Sequence, residues 1–121
     1  MRTWFNSFGH AWNGILLFFK SERNARIELI AACIALTLSF WLKISSIEFA
    51  IILLCIAGVF TAEAFNSAIE RLTDFHHPGI HPDIKALKDI SAGAVLIISL
   101  ISLITGIVLF SPRILRLLGL L

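Results

Sequence analysis

The stretch Ile47-Glu48-Phe49-Ala50-Ile51-Ile52-Leu53-Leu54-Cys55-Ile56-Ala57-Gly58-Val59-Phe60-Thr61-Ala62-Glu63-Ala64-Phe65-Asn66-Ser67-Ala68-Ile69-Glu70-Arg71-Leu72-Thr73-Asp74 decides how this chain is read. Residues 47–64 are apolar between Glu48 and Glu63. A helix crossing a bilayer core needs roughly 20 residues, with a range of about 17–25, so this run is long enough. At about 100° per residue, Glu63, Asn66, Glu70 and Asp74 fall on one stripe of that helix. An ionisable side chain near membrane depth is costly unless paired or hydrated, and so marks function by default.

The rest of the chain supports a membrane setting. It has 121 residues, 58% hydrophobic and only 15% charged, with a mean hydropathy of +0.90. A soluble domain carries about 25% charge. The apolar residues gather in three blocks, 27–42, 47–64 and 90–110. The first has Glu28 at its entrance and reaches spanning length if Arg26 and Lys43 snorkel; the third holds no charge. The expected fold is all-α and integral to the membrane, with three transmembrane helices in a single domain over residues 1–121.

Residues 1–20 show another pattern. Trp4, Phe5, Phe8, Ala11, Trp12, Ile15, Leu16 and Phe19 recur at three- and four-residue steps, opposite Asn6, His10, Asn13 and Lys20. That spacing predicts an amphipathic surface helix lying in the headgroup region; a helix packed on the rest of the protein is the alternative. The segment does not read as a cleaved signal peptide. Cys33 and Cys55 sit mid-span in different helices and read as small hydrophobes, with no disulfide framework or metal motif.

Charge sets the expected orientation. With three spans, seven of the ten Lys and Arg residues lie on one side: Arg2, Lys20, Arg23, Arg26, Arg71, Lys85 and Lys88. The positive-inside rule places that side, and the N-terminus, in the cytoplasm. Seven of the eight acidic residues share it, Glu48 being the exception.

Between the blocks, Ser21-Glu22-Arg23-Asn24 is a polar break, with Ser21 as a helix cap. Residues 43–46 form a short outer turn. Pro78, Gly79 and Pro82 place an inner loop over 74–83. Lys88 and Asp89 open the third span, followed by the small residues Ser91-Ala92-Gly93-Ala94, which permit close helix packing. Pro112 is expected to end that span.

At about 1.5 Å per residue, Glu63 lies roughly 24 Å along its span from Ile47, and Glu70 roughly 10 Å further. Glu63 is thus in the drier place and suits a proton acceptor. Glu70 is in the wetter place and suits a hard cation such as magnesium, which takes carboxylate and phosphate oxygens together with water. The alternative is that both glutamates pair with Lys88 or Arg71 to hold helices together, with Asn66 as an interhelical bond. Lys88 could meet a phosphate as a point charge or snorkel. Glu22 and Glu28 flank the first span as cation ligands, headgroup contacts or interfacial charge. His76, His77 and His81 lack the spacing of a zinc site. No phosphate-binding glycine loop or kinase catalytic loop is present.

The segments Ser21-Glu22-Arg23-Asn24-Ala25-Arg26, Glu63 through Asp74, and Ala86-Leu87-Lys88-Asp89-Ile90-Ser91-Ala92-Gly93-Ala94-Val95-Leu96-Ile97 resemble the small prokaryotic diacylglycerol kinase/undecaprenol kinase family. The resemblance covers nearly the whole chain, including its size, three spans and amphipathic start. It implies a homotrimeric inner-membrane enzyme that moves the γ-phosphoryl group of MgATP onto a lipid hydroxyl. On the matching positions Glu63 looks like the general base, and Glu22 and Glu70 look like the ligands of the nucleotide's Mg2+. Lys88 and Asp89 match a nucleotide-contacting pair. His10, Gly79, Ile80 and His81 fall where the family holds the nucleotide. Asn66, Arg26 and Glu28 match polar positions around the active site or lipid entry. One departure is Thr3, where the family often has an arginine; Arg2 stands one position earlier.

Phe8-Gly9-His10-Ala11, His77-Pro78 and the compact tail after Phe110 lean toward the undecaprenol branch, with diacylglycerol as the alternative lipid. No nucleic-acid partner is expected. Outside this class, a small transporter subunit or a non-catalytic scaffold would also place carboxylates on spans. Transport sites lie near the bilayer midplane, whereas these carboxylates gather at one face.

Overall fold

The computed structural model describes residues 2–76, 78–79 and 81–120, the side chains of Arg2, Thr3 and Phe5 apart. Its elements are four helices: α1 (Arg2–Ser21), α2 (Arg23–Trp41), α3 (Ser46–His76) and α4 (Pro82–Leu117). The last three are long and apolar enough to cross a membrane. Each outruns its apolar block, because polar residues of good helix propensity continue the hydrogen-bonding ladder past the point where hydropathy falls.

α3 and α4 form a long antiparallel hairpin, and four contacts fix its register. At one end the Lys88 ammonium meets the Asp74 carboxylate. Next, the Ser91 hydroxyl donates to Asn66 Oδ1 at 2.7 Å. Further along, Gly58 lets the helices close; a Cβ there would stand 3.2 Å from Ile98 side-chain atoms. At the far end Arg113 Nη2 bonds Glu48 Oε2 at 2.8 Å. α2 packs on α3. An apolar groove of about 570 Å³ runs between α2 and α4, floored by α3 at Ile52, Cys55 and Phe60, with Glu28 among its lining residues.

The helix ends follow local chemistry. Ser45 and Glu48 build a reciprocal cap for α3: Ser45 N donates to Glu48 Oε2 at 2.7 Å, and Glu48 N donates to Ser45 Oγ at 3.3 Å. Each bond satisfies an N–H that the first helical turn would otherwise leave orphaned. The turn before it needs a left-handed residue, and Lys43 takes φ 50°. α4 opens with His81 as N-cap, its side chain accepting from Asp83 N, and Pro82 follows in the first turn. A proline's missing N–H costs nothing there.

Several boundaries depart from the sequence expectation. Ser21 does not cap α2; it closes α1, and its hydroxyl donates back to Leu17 O at 2.7 Å. Glu22 takes the N-cap place in extended backbone, without a side-chain capping bond. The loop expected over 74–83 is shorter at both ends, because Asp74, Phe75 and His76 stay helical and Pro82 and Asp83 are already in α4. The backbone restriction a proline imposes falls on the residue before it, so Pro78 does not prevent 74–76 from staying helical. Lys88 and Asp89 consequently sit nearly two turns inside α4 rather than at its start. Pro112 does not end α4, which continues to Leu117. A helix spanning lipid tolerates a proline when neighbouring groups and local adjustment accommodate the backbone group it frees. The N–H that Pro112 lacks would have served the Val108 carbonyl, and on the next carbonyl Arg113 Nη1 donates to Leu109 O at 2.9 Å.

Candidate functional site

The polar residues of α3 cluster where the hairpin nears its loop. Glu63 is 4% exposed, Asn66 9% and Thr73 8%, while Glu70 is half-buried and Asp74 exposed. Helical periodicity explains the gradient: one stripe passes from the α3–α4 seam out to the helix end. The Glu63 carboxyl makes no hydrogen bond or ion pair among the described residues, and Glu28 on α2 is close enough to interact with it electrostatically. Glu28 Oε2 is itself buried without a hydrogen-bond partner. Two carboxyls thus lie within electrostatic reach of each other where α2 packs on α3, and among the described residues neither forms an ion pair with a cation.

Glu70 is held differently. Asn66 Nδ2 donates to Glu70 Oε1 at 3.2 Å, and Asn66 is in turn bonded to Ser91 on α4. Neither Lys88 nor Arg71 pairs with Glu63 or Glu70, so the reading of these glutamates as ion-paired helix glue is not what the structure forms. Lys88 takes Asp74 and Arg71 takes Glu22, with Arg71 Nη2 at 2.7 Å from Glu22 Oε1. Arg71 also donates to the Ser21 hydroxyl. One guanidinium on α3 thereby fastens the elbow between α1 and α2 to the cluster. Arg26 reinforces that elbow, its Nη1 donating to Lys20 O at 3.3 Å, and Phe19 meets Phe60 edge to face with centroids 5.2 Å apart.

The structure thus brings Glu22, Glu28, Glu63, Asn66, Glu70 and Lys88 to one end of the bundle. Asp89 is there too, but its carboxylate is taken by Lys85 one turn back. His81 is spent on capping α4. Gly79 is exposed beside it in the loop. His10 is exposed on α1, and no hydrogen bond or ion pair joins it to the cluster among the described residues. Ile80, His77 and the side chains of Arg2 and Thr3 lie outside the described residues.

Three participants escaped the sequence reading. Ser91 was visible only as one of a run of small residues, and Arg71 only as a partner for the wrong glutamates. Thr73, bonded to Ile69 O and Glu70 O at 2.9 and 2.8 Å, gave no signal. The available hint for Ser91 was its place three residues beyond Lys88, on the same helical face.

Among the described residues no three His, Cys, Asp or Glu side chains gather into a cage for a metal ion. Glu22 and Glu70 offer two carboxylates, one tied to a guanidinium and one to an amide. That donor set fits magnesium, which is commonly held by one or two carboxylates together with phosphate oxygens and water.

A family model described as prokaryotic diacylglycerol kinase matches residues 9–110. Undecaprenol kinase from Bacillus subtilis (strain 168) is 41% identical over 113 residues, which are 93% of this chain and 92% of that protein. A diacylglycerol kinase from Synechocystis sp. (strain ATCC 27184 / PCC 6803 / Kazusa) is 32% identical over 112 residues, 92% of this chain but 64% of that longer protein. A diacylglycerol kinase from Haemophilus influenzae (strain ATCC 51907 / DSM 11121 / KW20 / Rd) is 29% identical over 106 residues, 87% of this chain and 90% of its own length.

Proposed function

This chain belongs to the prokaryotic diacylglycerol kinase family, and on that footing we propose that it is an undecaprenol kinase whose site is the polar cluster at the inner end of α3 and α4. Lipid kinase activity with ATP as phosphate donor follows from the family. The observation that carries the site is that the family match over residues 9–110 contains the whole cluster from Glu22 to Asp89. The choice of lipid is supported by the 41% identity to a protein named undecaprenol kinase. Diacylglycerol is the second reading, supported by the two relatives that carry that name.

In this reading the lipid hydroxyl reaches Glu63 from the bilayer. Its oxygen attacks the γ-phosphorus, its proton passes to the Glu63 carboxylate, and the bond from that phosphorus to the bridging oxygen of ADP breaks. Glu63 suits the role because its carboxylate is buried and unengaged, so the proton meets no competing partner. Phosphoryl transfer needs positioning and charge neutralisation more than covalent help from the protein. Lys88, on leaving Asp74, supplies a positive point charge to the phosphates. Glu22 and Glu70 would hold Mg2+, which when bound neutralises phosphate charge. Asp89, His10, Gly79, Ile80 and His81 complete the nucleotide's surroundings, and Asn66, Arg26 and Glu28 those of the lipid.

The wider arrangement belongs to the same proposal: a homotrimer in the cytoplasmic (inner) membrane, N-terminus and site inward, with α1 lying in the headgroup layer. Trp4, Phe8 and Trp12 on α1 are exposed, as an interfacial helix requires. The test is phosphoryl transfer from labelled ATP, by purified protein in mixed micelles, to undecaprenol and diacylglycerol side by side. Undecaprenol is expected to be the better acceptor; faster labelling of diacylglycerol overturns the lipid assignment. Glu63→Gln should lower turnover by about 10²–10⁴, the usual weight of general-base catalysis, without changing the thermal midpoint. Retained turnover removes Glu63 from the role.

A further inference from the structure

We propose that Ser91, through Asn66, is a positioning residue that aims the Glu70 carboxylate at the nucleotide's divalent cation. This rests on the assignment of Glu70 as a cation ligand. Ser91 and Asn66 are 8% and 9% exposed, and their bond is a buried side-chain link between α3 and α4. The direction of each bond follows from what the groups can do. A carboxylate only accepts, so Asn66 must turn its NH2 toward Glu70 Oε1, 3.2 Å away. Its carbonyl oxygen then faces Ser91, which must donate. The hydroxyl has one proton and two acceptors in reach, Asn66 Oδ1 at 2.7 Å and Lys88 O at 3.0 Å. In a continuous helix the Lys88 carbonyl is already served by the backbone N–H four residues on, so the proton belongs to the nearer amide.

Without a donor at position 91 the amide loses its reason to point this way. Its oxygen would be buried and unpaired, which is costly, and reversing it would set oxygen against the Glu70 carboxylate. Rotating the amide out of the seam releases Glu70, whose side chain has no other hydrogen bond among the described residues. The same link joins the helix bearing Lys88 to the helix bearing Glu70, so the two sides of the phosphate site keep their spacing through one hydroxyl.

The effect is expected on cation affinity and not on lipid affinity. In the intact detergent-solubilised protein, Mn2+ binding is titrated by electron paramagnetic resonance with a non-hydrolysable ATP analogue present. Mg2+ dependence of turnover and KM for undecaprenol and diacylglycerol are measured alongside. Ser91→Ala should raise the Mn2+ dissociation constant and the half-saturating Mg2+ by about ten-fold, the lower end for loss of an outer-shell partner. The lipid KM should stay put, and the thermal midpoint should fall only modestly, as the loss of one buried hydrogen bond does. Ser91→Thr, which keeps the hydroxyl, should restore cation binding. If Ser91→Ala binds Mn2+ as the parent does while Glu70→Gln binds it weakly, this proposal is overturned and the Glu70 assignment stands. If Glu70→Gln leaves Mn2+ binding unchanged, the assignment falls and takes the proposal with it. A Ser91→Ala protein with lowered thermal midpoint and equally raised lipid and metal constants overturns it in favour of a packing role.

Discussion

Arg71 shows how exposure decides what an ion pair does. Its side chain is 49% exposed and that of Glu22 27%, so their pair adds at most about 1 kcal/mol to stability, as exposed pairs do. Its larger effect is on availability, because the guanidinium occupies the Glu22 oxygen that a cation would need. Arg71→Ala is therefore expected to leave the thermal midpoint nearly unchanged. It should lower the Mg2+ concentration for half-maximal rate, by no more than about five-fold, the equivalent of 1 kcal/mol; a rise would show that Arg71 orders Glu22 and does not compete for it. The one-face spacing of Glu63, Asn66 and Glu70 was legible in the sequence, since periodicity alone brings them together. Which cation each acidic residue meets was not. The pairs Arg71·Glu22 and Lys88·Asp74 depend on how three helices are set against one another, and Ser91 in a run of small residues looked like packing alone.

At the scale of the element, the α3–α4 hairpin is the most extensive helix pairing among the described residues, and Gly58 lies on its seam. A methyl there would sit 3.2 Å from two Ile98 side-chain atoms, a contact that a small shift of that flexible side chain relieves. Gly58→Ala should thus be close to neutral, the gain in helix propensity offsetting the shift. Gly58→Val, with two more carbons to seat, should cost about 1–3 kcal/mol, the usual range for overpacking, read as a lower thermal midpoint in micelles. At the other end Glu48 serves both its own helix cap and Arg113. Glu48→Ala removes both, so it should lower the thermal midpoint, through loss of the cap and of a charge-assisted bond, and leave cation dependence untouched. The existence and order of the helices were plain from the amphipathic spacing of residues 1–20 and the three apolar blocks. Their ends were not, because hydropathy reports where lipid would be and not where backbone hydrogen bonding stops. Asp74 to His76 and the turn after Pro112 are helical for that second reason.

As a whole molecule the single chain is poorly covered. Its accessible surface is 9208 Å², against about 6,500 Å² for a compact soluble protein of its mass. The excess is apolar helix face, so lipid or further copies must cover it, and light scattering in detergent should give a protein mass three times that of the chain if the trimer forms. α3 and α4, at 31 and 36 residues, are about 46 and 54 Å long by helical rise, well beyond a hydrocarbon core of about 30 Å. Both are unbroken, and α3 carries Glu63 and Glu70 at fixed heights. If Glu63 is the proton acceptor proposed above, the hairpin is in effect a dipstick: where the bilayer's edge falls along it decides whether a lipid hydroxyl arrives level with Glu63. Thinner or thicker membranes slide that waterline, at fractions of a kcal/mol per Å. Turnover in vesicles of graded acyl length should accordingly peak at one thickness and fall on both sides, whichever lipid is phosphorylated.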